Sequence, residues 1–312
     1  MQYTMFLTFA SSLTTLTVCI VVGYIGRKAL IFTDELNAGM STILVKVALP
    51  CTIFVSMMRP FSYTLMMESL ATFVISAVIY ISGYFVGIIL ARIMGASDDE
   101  KRVWQFALIF ANVAYIGFPI IQAVYGYEGL IYTTMAAASF NVLSFSLGVY
   151  LFKKRDTKIP VKTKLLPIIF SPPLTATYLG FIFFVTGLRL PYTIGSGVGL
   201  IGGMTTPLAM ILIGSILAKS KPLDLINDAR VLPVIFMRLL GIPLAAFFIL
   251  QPFIQNSVML GVIVILAAMP AAALTVIFAE QYKGDTVMAS KVVALTCLLC
   301  LLTIPLISLV LQ

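Results

Sequence analysis

Cys297 and Cys300 stand two residues apart, a spacing used by redox pairs and metal ligands. Their neighbours are Leu298, Leu299 and Leu301, and no second pair accompanies them, so both read as small hydrophobes on a helix. Other chemistry has little to draw on. The 312 residues include no histidine, which removes Ser-His-Asp triads, Cys-His dyads and histidine zinc sites. There is no phosphate loop of the G-x-x-x-x-G-K type. Asp98-Asp99-Glu100 is acidic, but Lys101-Arg102 follow at once, and a solvated turn or helix start is expected. Paired acids and Ser/Lys arrangements, which intramembrane enzymes expose, are also missing. The expectation is a non-enzyme with no cofactor and no metal.

Three basic residues are placed differently. Lys46, Arg238 and Lys291 lie inside apolar runs, while Glu68, Glu128 and Glu280 fall at run ends or in a loop. A charge at the centre of a bilayer costs roughly 2.5–3.5 kcal/mol on insertion scales, so each implies a use or a partner. Lys46 is four residues before Pro50, on the same helical face. Lys291 is about one turn inside its run and is expected to snorkel. For Arg238, structural and functional roles both remain open.

The elements that must carry these residues follow from composition. Hydrophobic residues make up 61% and charged residues 10% of the chain. A soluble domain has roughly 25% charged residues. Mean hydropathy is +1.08. Cutting at charged and Pro/Gly-rich breaks yields ten spans: 5–25, 36–58, 65–91, 103–124, 130–152, 165–186, 194–217, 230–251, 257–279 and 287–310. The first has no basic residue before its apolar run and does not resemble a cleavable signal. The chain is expected to be an all-α integral membrane protein.

The net charge of +8 could point to nucleic acid until the charges are placed along the chain. Alternate loops carry 15 basic residues on one side, including Arg27, Arg92, Lys153, Lys219 and Lys283, against Arg59 and Arg189 on the other. By the positive-inside rule both termini lie outside, and the partner of the basic loops is the lipid bilayer rather than nucleic acid. The basic linker 153–164 is cytoplasmic and separates 1–152 from 165–312, five spans each. An odd number per half turns a duplicated half upside down. Gly23, Pro50 and Tyr125 recur 157 residues further on as Gly180, Pro207 and Tyr282. An inverted repeat is the expected architecture, one that secondary transporters use with the substrate near the midplane.

Two spans carry marked interruptions. The fourth contains Asn112, Gly117 and Pro119, and the ninth contains Pro270 followed by small residues. Proline removes a backbone donor, and in hydrocarbon the released groups must find partners. A packed kink and a substrate-binding break both satisfy that demand. Pro50 and Pro207 lie within the second and seventh spans. Gly195, Gly199 and Gly203, like Gly83 and Gly87, are expected to form helix-packing seams.

The segment Asn112, Tyr115, Gly117, Pro119 resembles the N-x-x-x-x-G-x-P segment of the auxin efflux carrier family. Pro270-Ala271 with Ala279 to Asp285 resembles its ninth helix, and Ala48-Leu49-Pro50 and Thr206-Pro207 to Gly214 its second and seventh. The resemblance implies broken fourth and ninth helices that cross at a binding site. It also implies a mobile domain of helices 3–5 and 8–10 beside a scaffold of 1, 2, 6 and 7. Substrates would be organic anions such as auxin or dicarboxylates, and a homodimer is compatible. Asn112, Pro119 and Pro270 match the crossover. The plant ninth-helix asparagine has no counterpart, since Met269 stands near that place.

The expected function is alternating-access transport of small organic anions across the cell membrane. Asn112, Tyr115, Gly117, Pro119, Pro270, Lys46, Pro50 and Pro207 are the candidate substrate-binding residues. A sodium-coupled carrier of similar fold, a passive channel and a membrane scaffold are the alternatives.

Overall fold

The computed structural model describes residues 2–152, 170–218, 229–282 and 284–311. The linker 153–164, with Lys219, Lys221 and Lys283, lies outside the described residues. Those residues are helical throughout apart from connections and one isolated bridge, with no strand among them. Apolar helices satisfy their own backbone hydrogen bonds, which hydrocarbon requires.

In chain order the helices are α1 (Gln2–Lys28), α2 (Asp34–Met57), α3 (Tyr63–Ile93), α4 (Asp98–Ile109) and α5 (Val113–Phe152). They continue as α6 (Pro172–Thr186), α7 (Tyr192–Gly203), α8 (Thr205–Leu217) and α9 (Ala229–Leu250). The last are α10 (Ser257–Ala267), α11 (Leu274–Gln281) and α12 (Thr286–Val310). Among the described residues six stretches are long and apolar enough to cross a membrane: α2, α3, α5, Tyr192–Ile216, α9 and α12. The apolar α6 and α10 are shorter.

At 40 residues α5 would measure about 60 Å as one helix, twice the hydrocarbon thickness. It is divided at Gly126, whose φ of 60° and ψ of −150° are not helical. Glycine adopts that conformation without the Cβ clash that any other residue would meet. The break falls where the fourth and fifth spans were expected to separate.

Prolines that were expected to interrupt helices are mostly absorbed by wider turns. π-helical turns at Leu44–Ala48, Val113–Gly117 and Met237–Gly241 stand immediately before Leu49-Pro50, Phe118-Pro119 and Ile242-Pro243. A proline clashes with the carbonyl four residues back, and a wider turn moves that carbonyl aside. Pro207 is the third residue of α8, within a first turn that lacks intrahelical amide partners anyway. The helix therefore does not break at Pro119. It breaks earlier, at Phe110–Asn112, where Phe110 is extended with φ −102° and ψ 117°.

The chain forms two compact units. One comprises 1–72, 114–138 and 161–220, and the other 73–113, 139–160 and 221–312. Each draws on both halves of the sequence.

In the first unit α1 packs on α8 through glycines. A methyl at Gly23 would overlap the Ile211 carbonyl oxygen, and one at Gly214 the Ile20 carbonyl oxygen. The C-terminal part of α2 packs on α6, with Gly180 against Met57 and Phe54 edge-on to Phe183 at 5.1 Å. Thr52 Oγ1 donates to Gly202 O at 2.8 Å, tying α2 to α7. Among the described residues the stripe Gly195, Gly199 and Gly203 does not form the expected seam. A methyl at Gly199 or Gly203 would meet nothing within 4 Å among the described residues.

That contrast gives a measurable difference. Overpacking against backbone costs about 1–3 kcal/mol, and each kcal/mol is worth about 2–4 °C in a chain of this size. Gly214→Ala is expected to lower the melting temperature of the purified protein by several degrees. Gly199→Ala, at an open helical position, should leave it unchanged or slightly raised.

In the second unit α3 approaches α4 through the expected Gly83–Gly87 seam, where a methyl at Gly83 would lie 2.5 Å from Leu108 O. Aromatic rings fill the space around α4: Phe106 stands 4.6 Å from Phe110 and 4.9 Å from Phe278. The acidic cluster is a helix start, as expected. Ser97 Oγ accepts the Glu100 N–H at 3.3 Å, and Glu100 Oε2 accepts the Ser97 N–H at 2.8 Å. Arg230 Nη1 donates to Glu100 Oε1 at 2.7 Å. The Ser97 backbone bond first, and then the Ser97 hydroxyl and Arg230, hold the Glu100 carboxyl below its ordinary pKa.

Candidate functional site

The break between α4 and α5 meets the break between α10 and α11 inside the second unit. Ala111 and Ala271 face each other as an antiparallel bridge. The Asn112 N–H donates to Pro270 O at 2.8 Å, and the Ala272 N–H donates to Phe110 O at 2.9 Å. Phe110, Ala111, Asn112, Met269, Pro270 and Ala271 are all buried.

Such a crossover needs partners for every backbone group that two interrupted helices release. Arg238 supplies two of them. Its Nε donates to Met269 O and its Nη1 to Leu108 O, both at 2.9 Å. Leu108 lies in the last turn of α4, and Met269 lies just beyond the end of α10. Thr296 of α12 supplies a third, its Oγ1 accepting the Ala271 N–H at 3.2 Å while donating to Val292 O at 2.7 Å. The Val113 N–H returns to Ala111 O at 2.9 Å. Two short extended segments are thus held at fixed geometry within an apolar surrounding.

The first unit carries a separate polar group on α2, the start of α5, and α8. Ser41 Oγ and Tyr115 OH are 2.6 Å apart. Thr206 Oγ1 donates to Gln122 Oε1 at 2.9 Å, and Asn37 Nδ2 donates to Ser215 Oγ at 2.8 Å.

Comparison with known proteins bears on what this arrangement serves. The family model described as membrane transport protein matches residues 8–308, nearly the whole chain. The chain belongs to this family, the auxin efflux carrier-like transporters. An uncharacterized transporter of Methanothermobacter thermautotrophicus is 28% identical, covering 94% of this chain and 95% of its own. One from Methanocaldococcus jannaschii is 25% identical over 93% and 94%. The uncharacterized transporter YfdV of Escherichia coli is 22% identical over 96% of both chains. The protein is therefore a multi-pass membrane transporter rather than an enzyme.

Of the candidate residues in this transporter, the structure joins Asn112 and Pro270 through their backbones. Tyr115 reaches Ser41, while Gly117 and Pro119 are buried in the restarted helix. Lys46 and Pro207 are exposed and Pro50 is half-buried. Lys46 makes no hydrogen bond or ion pair among the described residues, and the π-helical turn that contains it alters its helical phase relative to Pro50.

Two residues that hold the crossover had weak signals. Arg238 was visible as a charge in an apolar run, but its carbonyl partners lie 31 and 130 residues away. Thr296 looks like any hydroxyl in a membrane helix. The backbone-pairing residues Phe110, Ala111, Ala271 and Ala272 had no side-chain signal. Cys297 and Cys300 are free thiols in α12, with Cys300 Sγ donating to Cys297 O at 3.1 Å.

Proposed function

We propose that this protein is a secondary transporter of small organic anions, mono- or dicarboxylates, that works by alternating access at the crossover of its broken helices. The observation that carries this reading is the backbone pairing of the two breaks, Asn112 N–H to Pro270 O and Ala272 N–H to Phe110 O. Discontinuous helices meeting near mid-membrane are how secondary transporters build substrate sites. Among the described residues no acidic side chain is buried beside them, whereas a cation carrier would be expected to bring one there.

The proposal includes ten crossings in two inverted halves, 1–152 and 165–312, joined by a cytoplasmic linker at 153–164. Mirrored packing supports it. Gly23 sets the first span against the seventh, and Gly180, 157 residues on, sets the sixth against the second. The charge asymmetry supports a cell-membrane protein with both termini outside. Asn112 would hydrogen-bond the anion, and Lys46 would add positive potential. Tyr115, Gly117, Pro119, Pro270, Pro50 and Pro207 would shape the local backbone. A homodimer belongs to the proposal.

Counterflow in proteoliposomes tests the function. Vesicles preloaded with an unlabelled carboxylate should transiently accumulate the labelled one, and uptake should saturate. Linear, non-saturating flux of every carboxylate would indicate a channel. Counterflow of cations only would overturn the substrate class.

A further inference from the structure

Arg238 is 1% exposed, and the hydrogen bonds of its guanidinium go to backbone carbonyls. These carbonyls are not ordinary ones. Leu108 O belongs to the last turn of α4, and Met269 O lies just past the end of α10, so both are oxygens that a helix end leaves without an intrahelical donor. A helix C-terminus carries roughly half a negative charge. Two such ends converge on one guanidinium. The C-terminal ends and unwound carbonyls of broken helices are also the groups with which secondary transporters coordinate a coupling cation.

We propose that Arg238 is the resident cation of this crossover, occupying the carbonyl ends that a coupling sodium ion would otherwise need. The inference rests on reading the crossover as the transport site. It adds that this site is complete without sodium.

Arginine suits the role better than lysine. Nε and Nη1 are donors of one rigid plane that point in different, fixed directions, so two carbonyls from different helices are held at a set geometry. An ammonium supplies the charge at a point, without that fork. The charge itself is tolerable in an apolar interior because two helix dipoles face it and its bonds to the carbonyls are charge-assisted. Arg238 sits in the π-helical turn Met237–Gly241, just before Ile242-Pro243. Here the turn that accommodates a proline also carries the residue that secures the break.

The test uses the purified full chain in lipid nanodiscs, with no organic anion present. Melting is compared in sodium chloride and in choline chloride at equal ionic strength. Wild-type protein should melt at the same temperature in both. Arg238→Ala should melt lower in choline, and sodium should raise it by about 3 °C at ten times its dissociation constant. Arg238→Lys keeps a charge at the carbonyls and should show no sodium response. If Arg238→Ala does not fold, Arg238→Gln, which keeps donors but drops the charge, is read in the same way. A saturable sodium effect on the wild type, or none on the neutral variant, would overturn the proposal. The counterflow assay contains the anion and this one does not, so failure of the transport reading is seen separately.

Discussion

Asn112→Asp is expected to lose more anion transport than Asn112→Ala. The Asn112 backbone is fixed by its N–H bond to Pro270 O, and the residue is 8% exposed at the break. Substituting the side chain leaves that backbone pairing in place. Removing a hydrogen bond to a charged group costs about 1.5–3 kcal/mol. At about 1.4 kcal/mol per tenfold, Asn112→Ala should lower kcat/KM for a carboxylate roughly 10- to 150-fold. Asn112→Asp is nearly isosteric and retains an acceptor, but it sets a negative charge against an anionic cargo where pairing energies exceed those in water. Uptake by this variant, normalised to folded protein in the membrane, should fall to background. The order of the two variants is diagnostic. If the aspartate variant outperforms the alanine variant, the cargo is a cation.

The membrane class and most helix limits were legible because hydrocarbon imposes a simple rule: long apolar runs, with charges at their ends. The Gly126 division and the Asp98–Glu100 helix start also follow from local chemistry. The fourth helix was less legible. Pro119 has a stronger local signal than Phe110, yet the chain breaks at Phe110 because the interruption is stabilised by distant groups on α9, on α12 and between α10 and α11. Glycine patterns divide similarly. Gly83 and Gly199 both belong to small-residue stripes, but only Gly83 has a neighbouring backbone against it among the described residues. Spacing identifies a smooth helix face without saying whether this chain fills it. Arg238 shows the same limit for charge. An embedded arginine announces a partner, and here the partners are carbonyls, which every residue possesses.

Thr296→Val is expected to destabilise the crossover without disturbing its packing. Valine has nearly the shape of threonine, so Thr296, buried in α12, would leave little cavity behind. The change removes the acceptor of the Ala271 N–H. It also removes the donor to Val292 O, but that carbonyl lies within a continuous helix and retains the helix's own N–H partner. Ala271 has no such reserve, since it lies between α10 and α11. An orphaned buried amide costs about 1–3 kcal/mol, or several degrees of melting temperature at about 2–4 °C per kcal/mol. Thr296→Ser restores the hydroxyl at the cost of a methyl and should recover the part of the loss that belongs to the hydrogen bond. A serine variant no more stable than the valine variant would show that packing, rather than the amide, is what Thr296 serves. Recovery by serine would mean that α12 holds the ninth-span break open through one hydroxyl, on the edge of the crossover opposite its pairing with Phe110 and Asn112.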